Sequence, residues 1–322
     1  MLIPIYVFTF AVSFVISFFV ELRLIPVLKA HAQQPIYEGG PSWHSKKSGT
    51  PTMGGIAFVT STLITCSVAT AFLFFDGRTL EATSLLCALS FSLANSAIGI
   101  FDDLTKLKHK QNAGLTPIQK LILQSLVCIA FICTRALVFK DSTTLSFSFG
   151  DIELSFLYYP IMLIILLGIT NCANLTDGVD GLTSSVAFAA SGIIFVITMS
   201  EAADAAILSC ALVGGVLAFL IFNVHPAKIF MGDTGSLFLG AAAVSLGFSM
   251  ENPTVLLPLY AVYIIEGISV IAQVVYFKLT KKRLFKMAPL HHHLEKCGMS
   301  ENGICILAIT VTLIGSLLIS LL

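Results

Sequence analysis

Charged residues are scarce in this sequence, and several common catalytic signatures are missing from it. Only 11% of the 322 residues are charged and 56% are hydrophobic, with a mean hydropathy of +0.93. Because a soluble domain carries about 25% charged residues, we expect an integral membrane protein. The sequence has no Walker loop, no nucleophile elbow and no H-E-x-x-H motif, so a P-loop, serine-hydrolase or zincin site is not expected.

Cysteine pairs and basic patches are also absent. The eight cysteines include no CxxC pair and fall mostly within apolar runs, so we interpret them as small buried hydrophobic residues. The net charge is zero and no basic patch is interleaved with aromatic residues, so nucleic acid is not expected as a partner.

Long apolar runs separated by short polar breaks predict an all-α integral membrane protein, a bundle of about ten transmembrane helices and not a β-barrel. The first run has no small-residue cleavage site and is followed by Glu21 and Arg23, so we interpret it as a retained helix. Residues 1–322 are expected to form one polytopic domain. The expected spans are residues 2–20, 54–75, 82–101, 117–138, 156–172, 183–200, 204–222, 236–250, 254–277 and 303–321.

The loops of such a bundle alternate between two sides, and the basic residues are distributed unequally between them. Arg78, Arg135 and Lys140 fall on one side, and the remaining 15 of the 18 lysines and arginines fall on the other. The basic side is therefore expected to face the cytoplasm, with both termini outside. In the longest outer loop, residues 142–156 alternate in polarity on either side of Gly150–Asp151, which predicts a small external β-hairpin.

Acidic residues mark the polar breaks on the basic side. Asp102 and Asp103 end a predicted span, where adjacent carboxylates suit metal ligands, phosphate-proton acceptors or both. A solvated helix end balanced by nearby lysines is the alternative. Asp233 lies between Gly232 and Thr234 at the start of an apolar run, a position that suits a metal ion and a phosphate.

The stretch NLTDGVDGL (residues 174–182) concentrates polar groups at another span boundary. Asp177 and Asp180 are three positions apart and face the same way if this turn is helical. Gly178 and Gly181 let a ligand approach the backbone closely. We therefore expect a ligand to bind here.

Two further inner stretches carry groups that bind anionic oxygens. Lys46 and Lys47 precede a Gly/Thr/Pro-rich helix start, and an anion site and an ordinary membrane anchor are equally compatible with this pattern. His291, His292 and His293 would point about 100° apart on a helix, so they cannot all ligate one metal ion. We favour them as hydrogen-bond donors to phosphate or sugar oxygens.

These acids, lysines and glycine-rich segments together indicate Mg²⁺-assisted phosphoryl transfer on a diphosphate, and their depth near the lipid headgroups indicates a lipid substrate. A secondary transporter is the alternative from a different class, since ten helices with embedded acids could form an ion pathway. Only Glu266 and Asn95 lie deep in predicted spans, no repeat is evident, and the acids cluster at one edge, which favours the enzyme.

Six stretches resemble those of a known family, the polyprenyl-phosphate N-acetylhexosamine-1-phosphate transferases. They occur in the expected order through the large inner loops, so the resemblance spans the whole chain. GTPTMGG and APLHHHLE resemble the branch of the family that acts in bacterial peptidoglycan synthesis. The six stretches are KKSGTPTMGG (46–55), Asp102–Asp103 with Lys106, Gly114–Leu115 with Lys120 and Gln124, NLTDGVDGL (174–182), PAKIFMGDTGS (226–236) and MAPLHHHLE (287–295).

The resemblance implies a reaction, a cofactor and a location. Phospho-MurNAc-pentapeptide would pass from UDP-MurNAc-pentapeptide to undecaprenyl phosphate, giving lipid I and UMP, with Mg²⁺ required. The enzyme would be a multi-pass protein of the bacterial plasma membrane with its active site facing the cytoplasm. A homodimer is expected from the resemblance alone. The nearest alternative is a sibling transferase that uses UDP-GlcNAc, and the APLHHHLE stretch argues against it.

The resemblance also implies roles for individual positions. Asp233 looks like the metal-binding aspartate, and Asp102 and Asp103 look like the acidic pair that handles the lipid phosphate. Our hypothesis is direct attack by the lipid phosphate, with Asp102 as the base. Phe230 would stack on the uracil, which would also be surrounded by Asp177, Gly178, Val179 and Asp180. The other expected groups are Lys47 and Thr52 near the nucleoside, and Asn174, Lys106, Lys120, His291, His292 and His293 near the diphosphate.

Three positions depart from the pattern of the family. Val179 stands where leucine is commoner, Met299 stands where tryptophan is common, and Glu38-Gly-Gly-Pro41 replaces a usual Asp-Gly-Pro. None of these positions touches the expected chemistry.

Overall fold

Helices make up most of the protein, whose computed structural model describes residues 2–31, 47, 49–109, 114–147, 149–250 and 252–319. The strands β1 (Thr144–Phe147) and β2 (Gly150–Glu153) form a two-stranded sheet. A π-helical turn (Arg135–Phe139) extends α4. The α-helices are α1 (Ile3–His31), α2 (Gly55–Phe75), α3 (Thr79–His109), α4 (Pro117–Thr134), α5 (Tyr158–Thr176), α6 (Leu182–Thr198), α7 (Ala203–Asn223), α8 (Gly232–Ser249), α9 (Leu256–Leu259), α10 (Ala261–Thr280), α11 (Leu290–Lys296) and α12 (Glu301–Ile319).

Eight of these helices are long and apolar enough to cross a membrane, namely α1, α2, α3, α4, α5, α7, α10 and α12. The prediction of an all-α, multi-pass bundle with one small sheet is therefore confirmed. Helices α6 and α8 also lie where spans were predicted, but α6 has only 17 residues and α8 begins with the polar run Gly232–Ser236. The count of ten spans stays a prediction.

The helices depart most from the predicted spans at three places. Helix α1 continues past residue 20 to His31, and α3 continues past residue 101 to His109, so the acidic pair lies inside a helix and not at its end. The span expected over residues 254–277 is interrupted at Tyr260, between α9 and α10. Pro258 precedes this interruption and lacks the helical N–H donor, a common cause of helix kinks.

The 142–156 loop forms the predicted hairpin, but its turn is displaced. The strands pair antiparallel, with Thr144 opposite Glu153 and Phe147 opposite Gly150. The connection therefore falls between Phe147 and Gly150, earlier than expected, and both Gly150 and Asp151 belong to β2. Gly150 has φ +134°, a value that glycine adopts without strain, so it can pair directly after the connection.

Helices α7 and α8 lie at the centre of the bundle, and α1, α2 and α3 pack against them. Every residue of α8 from Thr234 to Ser249 is buried. The rings of Phe58, Phe219 and Phe238 join α2, α7 and α8, with centroid separations of 5.2 Å from Phe58 to Phe219 and 6.2 Å from Phe58 to Phe238. This packed centre supports the first turn of α8, which carries Asp233.

A buried arginine organises the end of the bundle that carries the hairpin. Arg135 donates to both carboxylate oxygens of Asp141 (2.6 and 2.9 Å), to the Ser84 hydroxyl (3.1 Å) and to the Phe248 carbonyl (2.8 Å). Ser84 and Asp102 are both on α3, roughly 27 Å apart at about 1.5 Å per residue. The acidic pair therefore lies at the opposite end of the bundle.

Candidate active site

Three aspartates from two helices meet at the end of the bundle opposite the hairpin. Asp102 and Asp103 on α3 and Asp233 on α8 each offer an oxygen within 4.8 Å of the others. Lys106 Nζ is 2.6 Å from Asp102 and 3.1 Å from Asp233, and Lys120 Nζ is 2.7 Å from Asp233. Three carboxylates and two ammonium groups leave one formal negative charge, which favours a further cation or a proton.

Side chains from α4 and α5 orient Asp233. Asn174 donates from Nδ2 to Asp233 Oδ1 (2.9 Å) and to the Ser236 hydroxyl (2.8 Å), and its Oδ1 accepts from Lys120 (3.3 Å). Lys120 donates to the other oxygen, Oδ2. Both oxygens of Asp233 are therefore held by neighbouring helices.

A capping box at the start of α4 places Lys120. Thr116 Oγ1 accepts from the Gln119 N–H (3.3 Å), and Gln119 Oε1 accepts from the Thr116 N–H (3.0 Å). Just before this box, the Leu115 N–H donates to Asp102 Oδ1 (2.7 Å), which ties the start of α4 to the acidic pair. Lys120 thus lies in a fixed first turn beside the acids.

Asp103 contacts the backbone of α8. Its Oδ2 accepts from the Thr234 N–H (2.9 Å) and the Thr234 hydroxyl (2.7 Å), and its Oδ1 accepts from the Asp233 N–H (3.2 Å). Lys106 Nζ is 3.8 Å from Asp103, beyond hydrogen-bond distance. The two adjacent aspartates therefore have different partners, because Asp102 pairs with Lys106 at 2.6 Å.

A second group of charged side chains, the Lys47 cluster, consists of Lys47, Asp180, His225 and Glu301. Lys47 Nζ is 2.7 Å from both Asp180 and Glu301. His225 Nδ1 lies 3.0 Å from Asp180, the Ala227 N–H donates to Asp180 (3.0 Å), and the Asp180 N–H donates to Glu301 (2.9 Å). Burial opposes the charge of Lys47, but the hydrogen bonds and charges of its two carboxylate partners outweigh it and raise the pKa of Lys47.

Asp177 lies between the acidic cluster and the Lys47 cluster. It follows the last residue of α5 and is partly exposed, and within the described residues its carboxylate makes no hydrogen bond. Burial, reinforced by the charges of Asp233, Asp103 and Asp180, raises the pKa of Asp177 to about 8. At neutral pH this carboxyl group is therefore largely protonated and can both donate a hydrogen bond to a ligand and accept one from it.

A contact with His291 explains why residue 178 is a glycine. A Cβ atom at Gly178 would lie 2.3 Å from His291 Nε2. His291 is fully buried, and the carboxylate of Glu266 accepts from its backbone N–H (3.1 and 3.2 Å) and lies 3.2 Å from its Nδ1. Because the buried ring fills this space, a side chain at residue 178 would require the ring or the turn to move.

The three histidines lie on α11, where the rings of His291 and His292 pack edge to face with centroids 4.2 Å apart. His291 packs behind Gly178, His292 Nδ1 is 2.7 Å from Glu295, and His293 Nδ1 accepts from the Lys286 N–H (3.1 Å). None of the three belongs to a group of described side chains close enough to share a metal ion. Their expected contacts with phosphate or sugar oxygens stay a prediction.

The remaining predicted residues line the same end of the bundle. Thr52 is buried beside Gly232, where a Cβ atom would lie 2.9 Å from its hydroxyl oxygen. Val179 is buried, whereas Phe230 is partly exposed. The stretch at residues 38–41 lies outside the described residues.

Residues with no assigned role also hold the site. Glu301 contacts Asp180 from 121 residues away, so no local pattern could have indicated it. Ser236 and Thr234 belong to the PAKIFMGDTGS stretch, so the sequence could have indicated that they lie at the site. His225 lies one residue before this stretch, in a region that sequence reasoning could have considered.

The acidic cluster fits a divalent cation better than the Lys47 cluster does. Carboxylate oxygens are the ligands that Mg²⁺ prefers, and Asp102, Asp103 and Asp233 bring oxygens close together with a surplus negative charge. Asp180, His225 and Glu301 also lie within 4.8 Å of one another, but this second group offers only two carboxylates, and both already pair with Lys47 at 2.7 Å.

Comparison with known proteins identifies the class of enzyme. Residues 85–250 match the sequence profile of glycosyl transferase family 4, and residues 47–59 match the phospho-N-acetylmuramoyl-pentapeptide-transferase signature 1. The 85–250 segment carries Asp102, Asp103, Asp177 and Asp233. The chain is therefore a membrane phosphosugar transferase.

Sequence identity to individual relatives shows which family within this class the chain belongs to. The chain is 41% identical to the phospho-N-acetylmuramoyl-pentapeptide-transferase of Bacillus subtilis (strain 168), over 94% of this chain and 92% of the relative. It is 40% identical to that of Halalkalibacterium halodurans (96% and 95%) and 38% identical to that of Caldicellulosiruptor bescii (95% and 94%). The chain belongs to the phospho-N-acetylmuramoyl-pentapeptide-transferase family.

Proposed function

We propose that this enzyme transfers phospho-MurNAc-pentapeptide from UDP-MurNAc-pentapeptide to undecaprenyl phosphate, forming lipid I and releasing UMP. Similarity to transferases of this name over almost the whole chain supports the choice of substrates. The observation that carries the proposal is the acidic cluster at one end of a membrane bundle, where two lysines share Asp233. Such a site can bring a cation, a diphosphate and a lipid headgroup together.

Lys106 and Lys120 bind the phosphate oxygens of the substrates in this proposal. Both are only partly exposed, so an incoming phosphate meets ammonium groups that are already placed and partly desolvated. Asn174 holds Lys120 and Asp233 next to each other, because its Oδ1 accepts from Lys120 and its Nδ2 donates to Asp233. On substrate binding, the phosphate oxygens thus take over part of the contacts that the two lysines make with aspartates in the free enzyme.

The proposed chemistry is a direct in-line displacement. An oxygen of the lipid phosphate forms a bond to the sugar-linked phosphorus, and the bond from that phosphorus to the bridging oxygen of UMP breaks. Asp102 accepts the proton of the attacking phosphate on Oδ2, because this oxygen pairs with Lys106, whose side chain can turn to the phosphate, while Oδ1 accepts from the Leu115 N–H. A phosphorylated enzyme that is competent for turnover would refute this direct route.

The proposed cation site is the acidic cluster, with Asp233 as the assigned ligand. When bound there, Mg²⁺ would neutralise the diphosphate and make UMP a better leaving group. The uridine end is proposed to bind between Asp177 and Phe230, because the resemblance assigns both to the uracil and both side chains are partly exposed.

The acidic end is proposed to face the cytoplasm of a bacterial cell, with both termini on the other side of the plasma membrane. The support is the distribution of charge, because 15 of the 18 lysines and arginines fall in loops expected on the acidic side. UDP-linked sugars are soluble and reach the site from that side.

Turnover by purified protein tests this proposal. Radiolabelled UDP-MurNAc-pentapeptide and undecaprenyl phosphate are incubated with the enzyme, with and without Mg²⁺, using wild type, Asp233→Asn and the distant control Asp151→Asn. We expect lipid-linked product from wild type and control only when Mg²⁺ is present, and none from Asp233→Asn. Turnover of UDP-GlcNAc instead would assign the chain to the sibling reaction, and turnover of neither donor would refute the proposal.

A further inference from the structure

We propose that Asp103 is a positioning residue that fixes the first turn of α8, and with it Asp233, without touching the reacting atoms. This inference rests on the proposed role of the acidic cluster in phosphoryl transfer. It divides the adjacent aspartates between two tasks, because Asp102 alone of the pair has a lysine partner within hydrogen-bond distance.

The start of α8 lacks a cap from its own sequence. Met231 precedes the helix and provides no side-chain hydrogen bond, so the first backbone N–H groups need acceptors from elsewhere. Asp103 provides them from α3, by accepting the N–H groups of Asp233 and Thr234 and the Thr234 hydroxyl. A carboxylate suits this task because both of its oxygens accept.

One face of α3 contacts this turn at three levels. The Ser96 hydroxyl donates to the Thr234 carbonyl (3.0 Å), and a Cβ atom at Gly99 would lie 2.2 Å from the Asp233 carbonyl oxygen. Residues 96, 99 and 103 are three and four positions apart, so they lie on the same side of the helix. The backbones of α3 and α8 therefore touch where Asp103 binds.

The backbone at the start of α8 covers Asp103. Asp102 and Asp103 are equally buried, at 3% exposed each, but a Cβ atom at Gly232 would lie 2.6 Å from Oδ2 of Asp103. Gly232, the first residue of α8, has φ +70°, so the chain turns tightly over the carboxylate where α8 begins. A substrate oxygen that bound Asp103 would have to displace the backbone donors of α8.

A double-mutant cycle with Thr234 tests this role. Thr234→Val removes one donor to Asp103 and keeps the branched shape, and Asp103→Asn turns an amide N–H₂ group toward donors. Thr312→Val is the matched control, because Thr312 is buried and its hydroxyl donates only within α12, to the Ala308 carbonyl (3.0 Å). Mn²⁺ affinity is measured by electron paramagnetic resonance on each purified variant without substrates, alongside the Mg²⁺ dependence of turnover.

If Asp103 acts through α8, Asp103→Asn and Thr234→Val both weaken Mn²⁺ binding, by about 10- to 100-fold for Asp103→Asn as for other groups that orient metal ligands. The double variant is then no worse than Asp103→Asn, because both changes break the same contact. Saturating Mg²⁺ restores most of kcat, whereas Asp102→Asn stays impaired. Thr312→Val matches wild type.

Two results would overturn the inference. One is a Thr234→Val variant with the Mn²⁺ affinity and turnover of wild type, and this result decides even if Asp103→Asn fails to fold. The other is a loss of kcat in Asp103→Asn that saturating Mg²⁺ does not restore and that adds to the effect of Thr234→Val. A folded enzyme that binds Mn²⁺ through Asp233 but turns over another donor would refute the proposed substrates and leave this inference standing. If wild type binds no Mn²⁺, the double-mutant cycle is evaluated from turnover rates instead. The inference then requires that the double variant turn over no more slowly than Asp103→Asn alone.

Discussion

A single methyl group at residue 178 tests the contact between the Asp177–Asp180 turn and α11. In Gly178→Ala the new Cβ would lie 2.3 Å from Nε2, 3.0 Å from Cε1 and 3.3 Å from Cδ2 of His291. Favourable contacts between heavy atoms begin at about 3.5 Å, so the ring or the turn has to move by roughly 1 Å. The ring is buried and Glu266 holds its backbone, so part of this movement falls on the turn.

The expected consequences are a loss of stability and a loss of nucleotide binding. Inserting a methylene-sized group into a packed site costs about 1–3 kcal/mol of unfolding free energy. A displacement of about 1 Å in a positioned site can reduce activity by roughly 100-fold. We therefore expect a lower thermal-unfolding midpoint in detergent and weaker UMP binding by calorimetry.

Gly168→Ala in α5 is the matched control. No heavy atom lies within 4 Å of a Cβ at Gly168, so alanine should raise stability by about 0.5–1 kcal/mol through its helix preference. The double variant Gly178→Ala/His291→Ala should be more stable than the sum of its single effects, because the small side chain makes room for the methyl group. An unchanged midpoint and unchanged UMP affinity in Gly178→Ala would refute this reasoning.

Three further predictions concern charged groups. Glu301→Gln removes one of the two carboxylates that hold Lys47, so we expect the free energy of unfolding, measured by chemical denaturation, to fall by about 1–2 kcal/mol. This is less than the 3–5 kcal/mol lost when a fully buried pair is broken, because Glu301 is 12% exposed. An unchanged unfolding midpoint would contradict this prediction. Arg135→Lys loses the two-pronged contact with Asp141 and should lower the thermal midpoint more than Arg78→Lys, whose partner Glu81 is one turn away at the surface; equal effects would count against the buried network. The pKa of Asp177 is raised from 3.8 to about 8 in the folded protein, so its contribution to stability is present below about pH 4 and is lost as the pH rises to about 8. Asp177→Asn should therefore flatten the fall in midpoint between pH 5 and 8, and an identical pH profile would exclude this shift.

The sequence predicted the helices well because the apolar runs are long and their polar breaks are distinct. Lys106, Lys120 and Asn174 contact Asp233 from α3, α4 and α5, and their expected place near the diphosphate stays a prediction. Helix ends were less predictable, because α3 continues through its acidic pair once α8 and two lysines supply partners.

Other features depend on contacts that no local pattern records. Asp102 and Asp103 are adjacent and chemically identical, and only the packing of α3 against α8 gives them different partners. Glu301 joins Lys47 across 254 residues of chain. The displaced hairpin turn reflects the positive φ of Gly150, whereas the sequence pattern favoured a turn at Gly150–Asp151 itself.

The close approach at Gly99 limits the ways in which this enzyme can escape an inhibitor. A compound seated on Asp233 rests on a helical turn whose carbonyl oxygen would lie 2.2 Å from any Cβ atom at residue 99. A substitution that reshapes this part of the pocket from α3 has to separate two backbones that already touch. We expect resistance to arise instead at partly exposed side chains such as Phe230. A compound that takes its affinity from the first turn of α8 would bind a backbone that is already in contact with α3.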